Sequence, residues 1–100
     1  MNNPNPLPLI PDSEINPVPV FNCIVILSEP DATGRLRGRV ANLAGISADG
    51  FSERDVLTAI MKKFKNTVKE ITAAKQTIPF LEPPESPQSG EVERFIPVHL

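Results

Sequence analysis

The sequence predicts a small α+β domain in which an antiparallel sheet of three to four strands carries one long helix on one face. Residues 18–27 are β-branched and aromatic, as in a buried strand. Residues 35–42 alternate arginines with small or apolar residues, and apolar residues recur at helical spacing from Val56 onward. The predicted order is β-β-(β)-α-β, a single helix layer against a sheet.

The strands begin with a hairpin. The first strand is predicted over 18–27 and the second over 35–42, because the segment 28–34 between them has the composition of a turn. An antiparallel pairing of the two strands follows from this short connection. A short third strand or an extended bend is expected over 46–48.

The helix has the clearest start in the chain. Ser52 is a good N-cap residue, and Asp55 three residues later completes a variant of the capping box. The apolar stripe that follows comprises Val56, Leu57, Ile60, Met61, Phe64, Val68 and Ile71. We expect the helix to end near Thr77, before Pro79.

Proline marks the flanks of the domain. Six of the 12 prolines lie in residues 4–19 and four in residues 79–87. Residues 1–17 are therefore predicted to be a proline-rich, mostly disordered arm that orders only if its apolar side chains find a groove, or that serves as a ligand for an SH3-like domain. These side chains are Leu7, Leu9 and Ile10.

The predicted core spans 18–78, and a Pro/Glu/Ser linker spans 79–91. Residues 92–100 have strand composition, and we expect them to pair with the core sheet, with Pro97 marking a sheet edge or a strand end. So small a core is marginal alone, which favours self-association, with a dimer as the first expectation.

Charge divides the chain unevenly. Residues 20–78 carry nine Lys and Arg against six Asp and Glu, whereas the flanks are acidic, which makes the net charge −2. Acidic flanks suit a basic protein partner, and the contacts would be Glu82, Glu85, Glu91 and Glu93. Solvated polar tails are the simpler interpretation.

Arginines at alternate positions of the second strand provide a cationic surface, formed by Arg35, Arg37 and Arg39. Together with the helix lysines they could hold phosphates, which makes a nucleic-acid-binding module the alternative function. They could also contact an acidic protein surface. We favour a charged strand face that keeps the sheet soluble and discourages aggregation at its edge.

No residue pattern predicts catalysis, a metal or a cofactor. His99 is the single histidine and has no sequence neighbour that would form a catalytic pair, and no ligand spacing for a metal is present. A hydrolase would require Asp31, Asp49, Asp55 and His99 to converge in one cleft. Cys23, the single cysteine, is expected to be a buried, inert thiol. The chain has neither a signal peptide pattern nor a run able to span a bilayer, and we expect a cytoplasmic protein.

The stretch LAGISADGFSERDVL at residues 43–57 has a distinctive spacing of turn and cap residues, namely Gly45, Gly50, Ser52 and Asp55. The two glycines are expected to adopt positive φ in turns. In this spacing and in its element order, residues 20–78 resemble the HicB-like family, the antitoxin domain of bacterial HicA–HicB toxin–antitoxin pairs. That family has L-P-G-C, a second glycine five residues later, and T-x-x-E-A at the helix start. The chain departs from it at Ala44, Ile46 and Val56.

The resemblance implies a non-enzymatic module that sequesters a small basic ribonuclease toxin. The family usually carries a DNA-binding segment as well. We expect none here, because residues 1–19 are broken by proline and residues 79–100 show no helical period.

Overall fold

A four-stranded antiparallel sheet carries one helix on one face, which confirms the predicted fold class. The computed structural model describes residues 19–100, so the predicted arm over 1–17 and the first residue of the predicted first strand lie outside the described part. The strands are β1 (Val20–Leu27), β2 (Leu36–Val40), β3 (Ser47–Gly50) and β4 (Val92–His99), and the helix is α1 (Glu53–Ala73). Their order across the sheet is β3-β2-β1-β4.

The inner face of the sheet, defined here as the face that packs on α1, holds the core. Alternate residues of β1 point to this face, and their neighbours across the sheet come from β2 and β4. The apolar side chains buried between sheet and helix are Cys23, Val25, Leu27, Val40, Leu43, Ile46, Val56, Ile60, Phe64, Val68 and Val98. The opposite side of the sheet is called the outer face.

The helix begins as predicted. Ser52 is extended (φ −147°, ψ 154°), and its Oγ accepts a hydrogen bond from the backbone N–H of Asp55 at 3.1 Å. Four residues of the predicted stripe are completely buried, namely Val56, Ile60, Phe64 and Val68. The helix stops at Ala73, short of the predicted Thr77, because Lys75 adopts the left-handed conformation (φ 58°) and turns the chain away.

The second strand is shorter than predicted because a side chain replaces its last backbone pairing. β2 ends at Val40, but Asn42 continues the contact with β1. Its Oδ1 accepts the N–H of Ile24 at 3.1 Å, and its Nδ2 donates to the carbonyl of Asn22 at 2.7 Å. Asn42 is 9% exposed and is thereby a satisfied buried polar residue.

The third strand runs over Ser47–Gly50, slightly later than the predicted 46–48. Gly45 before it has φ 89°, as expected. The expectation of positive φ for Gly50 is wrong, because Gly50 continues the strand and faces the helix start. A Cβ at Gly50 would lie 3.4 Å from the side chains of Asp55 and Val56, which is an ordinary van der Waals contact, so alanine would also fit here.

The linker over 79–91 folds back across the outer face. It must travel the length of the sheet because β4 runs antiparallel to β1 and begins opposite Leu27. On the way, the N–H of Leu81 donates to the carbonyl of Asn42 at 3.0 Å, and the N–H of Glu85 donates to that of Ala41 at 2.9 Å. The linker helps explain why Ile26, which points away from the helix, is 0% exposed.

Candidate protein-binding surfaces

The predicted cationic and acidic residues meet on the outer face. The Arg39 guanidinium donates from Nε to Glu85 at 2.9 Å and from Nη1 to Glu91 at 2.8 Å. The hydrogen bond from Arg39, helped by the N–H of Gln88, lowers the pKa of the Glu91 carboxyl, while the two carboxylates raise the pKa of Arg39. Arg39, Glu85 and Glu91 are therefore paired with one another within the monomer.

The other two strand arginines are closer to solvent. Arg35 lies 3.8 Å from the Asp49 carboxylate and 5.3 Å from the centroid of the Phe51 ring, which is itself 64% exposed. Arg37 is exposed, and no ion pair to it forms within residues 19–100. The three arginines thus share a face, as alternation predicted, but two of the three already have carboxylate partners.

Charge separates between the two layers of the protein. The outer face and the linker across it carry three arginines against five carboxylates, Asp49, Glu82, Glu85, Glu91 and Glu93. The segment over residues 53–75 carries six Lys and Arg against three Asp and Glu. The strand arginines and the helix lysines therefore lie on opposite layers and do not form one cationic surface.

The strongest apolar feature of the outer face is Phe95. It lies opposite Ile24 in the sheet and is 66% exposed, and Val20, four pairs further along on the same face, is 52% exposed. Large apolar side chains this exposed indicate an interaction surface when they lie together. Glu93 flanks Phe95 on the same face, and Glu82 borders a nearby hollow of about 300 Å³ that Val20 and Ile24 also line.

β4 forms one edge of the sheet. The N–H of Ala41 donates to the carbonyl of Ile24, and the N–H of Ile24 donates to Asn42, so the backbone of Ile24 faces β2. Because these groups alternate along a strand, the N–H and C=O groups of Cys23 and Val25 form hydrogen bonds to β4. The N–H and C=O groups of Phe95 in β4 are directed away from β1, toward the open edge. No other strand within residues 19–100 pairs with this edge.

The same alternation accounts for Pro97. Its position opposite Asn22 directs its nitrogen outward, so the missing N–H removes no hydrogen bond to β1. Pro97 was predicted to mark a sheet edge or a strand end, and the structure shows the edge. The outward donors of β4 are consequently the backbone N–H groups of Glu93, Phe95 and His99.

A groove separates β4 from the helix. It measures about 370 Å³ and is lined by Thr58, Met61, Lys62 and Lys65 of α1 and by Pro97, Val98 and His99 of β4. Met61 and Val98 make it apolar, and the two lysines make its helix side cationic.

The carboxylates and the histidine that a hydrolase would need do not line one cleft. Asp31 and Asp49 line a hollow beside Arg35, whereas His99 lines the groove between helix and β4, and Asp55 stands in the first turn of α1. Within residues 19–100 no group of three His, Cys, Asp or Glu could hold a metal ion. The same part of the chain contains no helix long and apolar enough to cross a membrane.

Comparison with protein-family models, curated proteins and solved structures gave no match. The resemblance of residues 20–78 to the HicB-like family therefore stays a prediction. Sequence reasoning missed Phe95 and the groove between α1 and β4. Side chains alternate between the two faces of the sheet along residues 92–99, and this alternation could have shown that Phe95 and Val98 point to opposite faces. The groove could not have been predicted in this way, because it depends on the distance between two elements.

Proposed function

We propose that this chain is a non-enzymatic, self-associating protein-binding module whose outer face binds a small basic protein. The observation that supports it best is Phe95, exposed on a sheet edge, with Glu93 next to it on the same face and Glu82 at the nearby hollow. An apolar anchor with charges of one sign around it is the composition expected of a surface for an oppositely charged partner. The HicB-like resemblance suggests a small basic ribonuclease toxin as that partner.

The acidic residues contribute unequally to the proposed surface. Glu82 and Glu93 form no ion pair within residues 19–100, so their charges are available to a basic partner. Glu85 and Glu91 already pair with Arg39 and would hold the linker in place instead. Arg37 would stand at the margin of the interface.

Self-association is proposed to use the edge of β4. Two β4 strands can pair antiparallel about a two-fold axis at Phe95, so that each Phe95 faces Phe95 of the second copy. The outward N–H of Glu93 would then donate to the carbonyl of Pro97 of the second copy. Both Phe95 rings would lie at the centre of one continuous outer face.

Sedimentation equilibrium tests the self-association. The variant Glu93→Pro removes an outward donor and should preserve the fold, since Pro97 shows that an outward position of β4 accepts proline. We expect a dimer for the wild type, a monomer for Glu93→Pro, and a dimer for the control Lys69→Ala on the helix. A strictly monomeric wild type at high micromolar concentration would reject this part of the proposal.

Co-purification tests the partner. The tagged chain is expressed with its neighbouring reading frames, and bound proteins are identified by mass spectrometry. We expect a small basic protein in stoichiometric amount, lost in the double variant Phe95→Ala/Glu82→Lys and retained in Lys69→Glu. Recovery of the chain alone, or equal loss in both variants, would contradict the proposal.

The alternative function, nucleic-acid binding, would depend mainly on the helix lysines, because Arg35 and Arg39 are paired with carboxylates. It predicts that nucleic acid co-purifies with the wild type, that binding falls steeply with salt, and that Lys69→Glu weakens it. The reversed response of Lys69→Glu distinguishes the two functions.

A further inference from the structure

The groove between α1 and β4 has the chemistry of a peptide-binding site. Its base is apolar, with Met61 and Val98, and Lys62 and Lys65 stand along its helix side. No segment within residues 19–100 fills it. A suitable ligand is an extended segment with apolar side chains next to acidic ones.

The chain preceding Pro19 starts beside this groove. The carbonyl of Pro19 accepts the N–H of Leu100 at 3.2 Å, and Val20 lies opposite His99, a groove residue. Arg94 Nε donates to the Glu53 carboxylate at 2.8 Å, which aligns the start of the helix with the first half of β4. From that anchor, about 18 Å of helix leads to Lys65, and about 17 Å of strand leads to His99, so these two residues lie at the same end of the groove.

The segment that precedes Pro19 has complementary chemistry in the matching order. Reading back from Pro19, the acidic residues Glu14 and Asp12 come first, and the apolar Ile10, Leu9 and Leu7 follow. Residues 15–18 can span about 13 Å when extended, which is enough to bring the acidic residues to the two lysines. If Asp12 lies next to Lys62, Ile10 is about 7 Å from Asp12 along the extended arm. Thr58 is about 6 Å from Lys62 along the helix, so Ile10 and Thr58 would lie side by side.

We propose that residues 7–14 bind this groove within the same chain, with Asp12 and Glu14 on Lys62 and Lys65 and with Leu7, Leu9 and Ile10 on its apolar base. The arm then covers an apolar surface next to the sheet edge. An external segment of the same acidic and apolar chemistry would have to displace it. This contact lies away from Phe95 on the outer face, but it borders the β4 edge through Pro97 and His99. The rate of intrachain disulfide formation tests the arm contact, and sedimentation equilibrium tests the β4 edge, so failure of one is distinguishable from failure of the other.

Disulfide trapping tests the contact in the full chain. The pair Ile10→Cys/Thr58→Cys places a thiol at each of the two positions that the proposed docking brings side by side. The pair Asn2→Cys/Thr58→Cys is the control. The native Cys23 does not interfere, because it is 0% exposed and burial raises its pKa to about 12. Products are separated on non-reducing gels, and the linked peptides are identified by mass spectrometry.

We expect the Ile10 pair to form an intrachain disulfide about tenfold faster than the control, because docking raises the local concentration of the two thiols. Adding Lys62→Glu/Lys65→Glu should reduce the rate to that of the control, and further addition of Asp12→Lys/Glu14→Lys should restore it. Equal rates for both pairs would overturn the proposal. Mainly interchain disulfides would identify a second copy as the occupant, and insensitivity to charge reversal would reject the lysine contacts.

Discussion

Replacing Gly38 by alanine tests how closely the helix packs on the sheet. Gly38 lies in the middle of β2, on the inner face. A Cβ there would lie 2.8 Å from Ile60 Cδ1, 2.8 Å from Val56 Cγ1 and 3.1 Å from Leu27 Cδ2, whereas ordinary contacts begin at 3.4 Å. The end of the Ile60 side chain can rotate away, but Val56 is β-branched and its χ1 is stiff, so helix and strand must separate slightly.

The cost is moderate because two effects oppose each other. Overpacking of a filled core costs about 1–3 kcal/mol, and replacing a strand glycine recovers about 0.5–1 kcal/mol of backbone entropy. We expect Gly38→Ala to lower the free energy of unfolding by about 1–2 kcal/mol. In urea, followed by circular dichroism at 222 nm, the midpoint should fall by about 0.3–2 M at unchanged slope, since the slope is about 1–3 kcal/mol/M.

Two further variants make the test decisive. Gly50→Ala is the matched control, because its Cβ would stay 3.4 Å from Asp55 and Val56, and the same gain of backbone entropy should raise the free energy of unfolding by about 0.5–1 kcal/mol. Val56→Ala removes one of the clashing atoms, so Gly38→Ala should cost at least about 0.5 kcal/mol less in that background. If Gly38→Ala were as stable as Gly50→Ala, the helix would not lie on β2 at the distance described.

Three other changes test the core, the strand end and the ion pairs. Phe64→Ala deletes a completely buried ring at the centre of the stripe and should cost about 3–5 kcal/mol by urea unfolding; a loss under about 1 kcal/mol would place the buried face elsewhere. Asn42→Ala leaves the N–H of Ile24 without its acceptor and should cost about 1–3 kcal/mol, with faster amide hydrogen exchange at Ile24 as the specific readout. Arg39 holds the pKa of Glu91 in the folded protein below its ordinary 4.5. The stability from this carboxylate is therefore present above pH 4.5 and is lost as the pH falls through the lowered pKa of the folded protein. Glu91→Gln should therefore lose less stability than the wild type in acid, and identical pH profiles would show that the Arg39 contact contributes nothing.

The helix shows what local signals can specify. The cap and the apolar stripe can be recognised from residues that are close together in the sequence. The structure places Ser52 at the N-cap and buries Val56, Ile60, Phe64 and Val68, as predicted. The strand alternation likewise put the three arginines on one face. Their partners could not be foreseen, because Arg39 meets Glu85 and Glu91 across 46 and 52 residues of sequence.

The sequence alone determined the fold class, the helix start, the buried stripe and the polar nature of the chain segment after the helix, because each depends on periodicity or on capping chemistry within one element. Only the tertiary structure decided that β1 is the strand with which β4 pairs, that the acidic linker crosses the outer face to Arg39, and that Phe95 remains exposed at a sheet edge. These features depend on which distant segments share space. Composition shows that charges of both signs are present, but the path of the backbone determines which of them pair and which remain available to a partner.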